Sequence, residues 1–137
     1  MAVALVLLAL GLGLGLSGCS DGATPEQALN SRMKEQVPRW AREQGFAGNE
    51  VALAGANLFA DSGCTNCHTY LDSGSVNLGA PDLSAEGAKR KGVAYQVAFL
   101  KCPSCVRQGS QMPPFSALGA ADLRKLAVFL EASKGKH

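Results

Sequence analysis

The sequence predicts an all-α domain of about 90 residues joined by long loops. Three observations carry the prediction. Apolar side chains return at three- and four-residue steps in four separate stretches, the period of a half-buried helix. No stretch alternates apolar with polar residues as a half-buried strand does, and no internal repeat appears. The third observation is what the core lacks: aromatic residues make up 6% of 137 residues and glycines number 16, so a chain of 14.2 kDa has little apolar bulk to bury. Domains this small lean on a metal, a cofactor or a disulfide, and five cysteines with two histidines are the residues that could hold one.

Residues 1–18 open the chain with an unbroken run of Ala, Val, Leu and Gly from Ala2 to Leu16. The run is shorter than the roughly 20 residues a spanning helix requires, and Gly11, Gly13 and Gly15 weaken it as a helix. It therefore reads as a removed export signal. The small residues before Cys19 resemble the lipobox of bacterial lipoproteins, although no basic residue precedes the run. That resemblance implies Cys19 as the lipidated first residue of the mature chain, held on the periplasmic or extracytoplasmic face of a membrane. An ordinary signal with an incidental cysteine and an uncleaved anchor are the alternatives. Either way the domain works outside the cytoplasm, where thiols tend to pair.

Residues 19–48 form a tether and an amphipathic arm, and residues 49–137 form the domain proper. In the arm, Leu29, Met33, Val37 and Trp40 mark a helical face between Glu26 and Gln44, which Pro38 is expected to break or kink. The arm either spaces the domain from the membrane or packs on its flank. The next helix has Asn49 as its N-cap and Val51, Ala54, Gly55, Leu58 and Phe59 on one stripe, and stops at Ser62 and Gly63. Residues 69–90 hold Gly74, Gly79 and Pro81 without sustained period and read as loop. A third helix runs from about Lys91 to Lys101, with Val93, Val97 and Leu100 on one side and Tyr95 and Phe99 beside them, and Pro103 ends it. Gly109, Pro113 and Pro114 exclude helix and interior strand from Gln108 to Phe115. The last helix covers about Ala120 to Ser133, with Leu123, Leu126, Ala127 and Leu130 at helical spacing and Asp122 near its positive end.

The chemistry sits at Cys64-Thr65-Asn66-Cys67-His68. In an exported protein, Cys-x-x-Cys-His is the attachment pattern for a c-type haem. Two thiols at this spacing reach two vinyl groups of one porphyrin, and the adjacent imidazole is then held under the iron. The rival is a structural zinc on Cys64, Cys67, Cys102 and Cys105. Against it, 34 residues separate the two pairs, where the common zinc ribbon has about 15 to 20. A second axial ligand follows by elimination. His137 is the C-terminal residue, Met1 leaves with the signal, and Met33 precedes the haem site in the arm. Met112 remains, on a Gly/Pro-rich segment free to wrap a cofactor. Iron held by His68 and Met112 has no open position, which suits an electron carrier and not a substrate-binding enzyme.

With those residues in place, the segment from about Asn49 to Lys134 resembles a class I cytochrome c domain. The likeness rests on Gly55 and Phe59, on Cys64, Cys67 and His68, and on the loops Gly79 to Leu83 and Gly109 to Phe115. The stretch from Leu126 to Leu130 completes it. It implies the cytochrome c fold, with orthogonal N- and C-terminal helices around one covalently bound haem c. Gly55 would allow their close approach, with Phe59 and Phe129 packed at the crossing. It also implies that the backbone carbonyl of Pro81 accepts the Nδ1 proton of His68, a bond that fixes the ring and tunes the iron.

The departure from that family is Cys102-Pro103-Ser104-Cys105. Val106 stands where a histidine would be needed, so a second haem is excluded. In an oxidising compartment the pair is expected to form a disulfide, which would stiffen the junction between the third helix and the Met112 segment. A redox-active pair or a metal site are the alternatives.

The formal net charge of +2 excludes a strongly basic nucleic-acid binder. The charge is nonetheless uneven: residues 19–80 hold 4 basic and 7 acidic groups, and residues 81–137 hold 9 and 4. Lys89, Arg90, Lys91, Lys101 and Arg107 fall where the haem edge is expected, as a solvated face or as a docking patch for an acidic redox partner. The expectation is thus a monomeric, membrane-tethered carrier of single electrons between a quinol-oxidising complex and a terminal oxidase or reductase. Two alternatives stand beside it: the haem c subunit of a larger dehydrogenase or oxidase, and a thiol-disulfide or redox-sensing protein centred on Cys102 and Cys105.

Overall fold

Thr24 starts the first helix as a capping box: its hydroxyl accepts from the Gln27 amide, and the Gln27 side chain accepts in return from the Thr24 amide. Pro25 follows at the position where a missing N–H costs nothing. Helix α1 runs Pro25–Gln44 and ends on Gly45, whose φ of 75° supplies the left-handed cap. It is the first element in a computed structural model that describes residues 22–74 and 79–135. The apolar run of residues 2–16, Cys19 and His137 lie outside the described residues.

Pro38 does not interrupt α1. It lies on the exposed face, between buried Val37 and half-buried Arg39. The Lys34 carbonyl that loses its partner can therefore turn to water, so the expected break is absent. The arm also reaches deeper than a spacer or a flanking helix would. Trp40 is fully buried, with its ring 4.9 Å from that of Tyr70 and 6.2 Å from that of Phe59.

Helix α2, Glu50–Asp61, is capped by the Asn49 side chain, which accepts from the Ala52 amide at 3.0 Å. Its buried stripe is Ala52, Gly55, Ala56, Phe59 and Ala60. This is one residue round from the expected stripe, and Val51 is exposed. The reason is the partner helix α5, Gly119–Ala132. A Cβ built on Gly55 would run into the Lys125 carbonyl and would lie 2.8 Å from Phe129 Cβ. So close a crossing selects Gly and Ala over larger apolar side chains. Helix α3, Val93–Lys101, packs on α5, and the short α4, Pro103–Val106, follows it directly. Pro103 thus ends one helix and starts another at its first position.

Phe129, fully buried on α5, gathers the aromatic core, with ring centroids 5.0 Å from Tyr70, 5.2 Å from Phe59 and 5.6 Å from Phe46. Gln44 closes the bundle: its amide nitrogen donates to the Ser84 carbonyl, and its oxygen accepts from the backbone amides of Lys134 and Gly135. The end of α1 is thereby tied to the residues that follow α5. Among the described residues there is no strand, and the only bridge is a tight turn in which Tyr70 and Ser73 exchange backbone hydrogen bonds. Leu71 and Asp72 both take positive φ there, and Arg39 of α1 donates to the Leu71 carbonyl and the Ser73 hydroxyl. No described helix is long and apolar enough to cross a membrane.

Candidate cofactor site

The end of α2 builds the site. Gly63, at φ of 69°, reverses the chain after the helix and leads into a single 3-10 turn over Cys64–Asn66. Within that turn the amides of Cys67 and His68 both donate to the Cys64 carbonyl, at 3.2 and 2.9 Å. Residues at i, i+3 and i+4 share one side of a helical turn, so Cys64, Cys67 and His68 come to one wall. All three line a cleft of about 770 Å³, within the range of cofactor pockets. Cys64 and Cys67 are free thiols.

His68 is oriented by its second nitrogen. Nδ1 lies 2.7 Å from the Pro81 carbonyl oxygen, so the ring donates its proton there. Because a carbonyl can only accept, Nδ1 carries a hydrogen, and Nε2 is the ring nitrogen left to hold a metal. The loop that presents Pro81 is itself held. Thr69 Oγ1 donates to Asp82 at 2.7 Å, the Ser84 amide donates to the other Asp82 oxygen at 2.7 Å, and the Ser84 hydroxyl accepts from the Leu71 amide. Burial alone would raise the Asp82 carboxyl, but the hydrogen bonds from Ser84 and Thr69, with the nearby His68, hold it below the usual range.

Met112 reaches the same cleft from the segment between α4 and α5. The Phe115 amide donates to the Leu100 carbonyl at 2.9 Å, which ties the far end of that segment to α3. The rest of the cleft is mainly apolar: Phe59, Leu83, Tyr95, Phe99, Leu100, Phe115, Leu126 and Leu130 line it. Burial pushes the Cys64 thiol up to about 12, with a further rise from Cys67 and an opposing backbone hydrogen bond, so it is protonated at neutral pH.

One polar corner was not foreseen from the sequence. Glu86, 6% exposed, sits on the cleft wall and accepts from Lys89 at 2.6 Å, Lys91 at 3.1 Å and Gln96 at 3.3 Å. Burial would raise its carboxyl, but these donors and the Lys89 charge hold it below the usual range. Two of the five cations grouped as a docking patch are therefore tied to a carboxylate, while Arg90 and Lys101 stay exposed and Arg107 lies 5.9 Å over the Phe99 ring. A buried Glu contacting Gln96 across ten residues leaves no trace in hydrophobic periodicity.

The donors fit the group that the motif implies. A planar apolar macrocycle suits the mainly apolar walls, two free thiols lie at the attachment spacing, and His68 and Met112 border the same space. A four-thiolate zinc set is not assembled, because Cys102 and Cys105 are joined to each other, with Cα atoms 5.3 Å apart. Compared with known proteins, the chain matches no family model, no curated protein and no solved structure.

Proposed function

We propose that this chain is an exported single-electron carrier of the class I cytochrome c kind, with one haem c joined to Cys64 and Cys67 and ligated by His68 and Met112. The observation that carries the reading is the wall shared by Cys64, Cys67 and His68, with His68 Nδ1 committed to Pro81 and Met112 on the same apolar cleft. When bound, haem c supplies an iron that gains and loses one electron. The chain does the rest. Cys64 and Cys67 prevent loss of the cofactor outside the cell, and the Pro81 carbonyl fixes the His68 ring and strengthens it as a ligand. Met112 would be the second residue to hold the iron, and its thioether would raise the reduction potential relative to a second histidine. Phe59, Phe99, Leu126 and Leu130 line the cleft and would exclude water from a cofactor held there. The close crossing of α2 and α5 at Gly55 supports the same fold family.

The carrier is held at a membrane by lipid on Cys19, works as a monomer, and passes electrons between a quinol-oxidising complex and a terminal oxidase or reductase. Arg90, Lys101 and Arg107 steer an acidic partner. The ligand set is tested by spectroscopy of the oxidised protein. Met112→Ala should lose the weak sulfur-to-iron band in the far red and admit added cyanide or imidazole, while Met33→Ala should keep the band. The opposite pattern overturns the assignment.

A further inference from the structure

A second pair of sulfurs stands outside the cofactor site. Cys102 follows α3 and Cys105 lies in α4, with the same spacing as Cys64 and Cys67 but joined as a disulfide. The bridge closes so short a loop that it restrains few chain conformations, and it joins no distant segments, so its worth as a staple is small. Its two residues are unequal: Cys105 is exposed and Cys102 is half-buried, with the Ser104 hydroxyl 4.0 Å from Cys102 Sγ. The bridge also sits between the two anchors of the segment carrying Met112. At its start, the Ser110 amide donates to the carbonyl of Arg107, two residues after Cys105. At its end, the Phe115 amide donates to the carbonyl of Leu100, two residues before Cys102.

We propose that Cys102–Cys105 is a thiol-exchange site whose substrate is a protein dithiol, and that its state is transmitted to Met112. A thiolate of the partner attacks Sγ of the exposed residue Cys105; the new sulfur–sulfur bond forms as the bond to Cys102 breaks, and the electron pair leaves on Cys102 Sγ beside the Ser104 hydroxyl. The partner's second thiolate then attacks its own sulfur in the mixed disulfide and releases Cys105. Two electrons have moved: the partner departs as a disulfide, and Cys102 and Cys105 take up protons from water as thiols. Lys101 and Arg107, both exposed beside the pair, favour the approach of a thiolate. Opening the bridge frees the chain between the two anchors and loosens the hold on Met112. Exchange needs no iron; only transmission to Met112 rests on the reading of the cleft as a haem site.

The test uses the full oxidised chain and a thioredoxin-type protein whose second cysteine is replaced by Ser, which traps the mixed disulfide. The expected adduct maps by mass spectrometry to Cys105. No adduct, or one on Cys102, overturns the exchange site. In the same preparation, the alkaline pH at which the far-red band is lost is compared before and after Cys102 and Cys105 are reduced and alkylated. Reduction should lower that pH, with a shift in Met112 occupancy bounded at about thirtyfold if all the loop-closure entropy falls on this step. An unchanged titration overturns transmission. A preparation with no haem colour refutes the cofactor reading while the adduct experiment still decides the exchange site.

Discussion

The crossing of α2 and α5 gives the sharpest stability prediction, because two effects of Gly55→Ala oppose each other. Alanine is the better helix former by about 1 kcal/mol. The new Cβ, however, would run into the Lys125 carbonyl and approach Phe129 Cβ at 2.8 Å. The first obstacle is helix backbone, which cannot rotate away as a flexible side chain can, so α5 has to shift as a body. Overpacking of this kind costs about 1 to 3 kcal/mol, and the rigid obstacle places Gly55 in the upper half of that range. The net loss is then about 1 to 2 kcal/mol, or roughly 5 to 10 °C in melting temperature for a domain of this size. Leu126 and Leu130 of the same helix line the cleft, so the shift should also weaken protection of the site. Gly48→Ala is the control. A Cβ there meets nothing within 4 Å and the backbone is not left-handed, so that variant should be neutral or gain up to about 1 kcal/mol. Thermal melts of both variants decide the matter. A Gly55→Ala protein as stable as the wild type would show that helix propensity wins and that the crossing is not tight.

Two further predictions concern charge and address. Glu86 has its carboxyl held below the usual range, so its contribution to stability is complete above the ordinary glutamate range and is lost as pH falls through the lowered value. Urea melts should show Glu86→Gln less stable than wild type near neutrality and the gap closing in acid; a gap independent of pH would contradict this. Mass spectrometry of the mature N-terminus should find an acylated Cys19, and Cys19→Ser should leave the domain unprocessed or released from the membrane; an unmodified chain beginning before Cys19 would show that the apolar run anchors it instead.

The helical class and the helix ends were legible because the physics that sets them is local. Asn49 caps as its residue type prefers, and Leu123, Leu126, Ala127 and Leu130 recur at the helical period and are buried together. The wall of Cys64, Cys67 and His68 was legible for the same reason, since i, i+3 and i+4 share a side of any helical turn. What was not legible depends on neighbours distant in sequence. Pro38 is tolerated because its face of α1 is solvated. Val51 is exposed because the close approach of α5 at Gly55 turns the stripe of Ala52, Gly55, Ala56 and Phe59 inward, and Val51 lies off that stripe. The turn at Leu71 and Asp72 takes positive φ without a glycine because Arg39, more than thirty residues earlier, holds the Leu71 carbonyl. Glu86 looks like one more loop charge until Lys89, Lys91 and Gln96 are seen to converge on it. The Cys102–Cys105 pair was expected to bridge, but its unequal exposure and its place between the two anchors of the Met112 segment come only from the folded chain.

The central claim is that Cys64 and Cys67 hold one haem covalently, and the mass of the chain after full denaturation tests it most directly. The purified protein, unfolded in acid and freed of loose ligands, should keep its Soret absorption. It should weigh one haem more than its polypeptide, with the added mass on the peptide spanning Cys64 to His68. A colourless denatured chain of unmodified mass, with both thiols free for alkylation, would contradict the account.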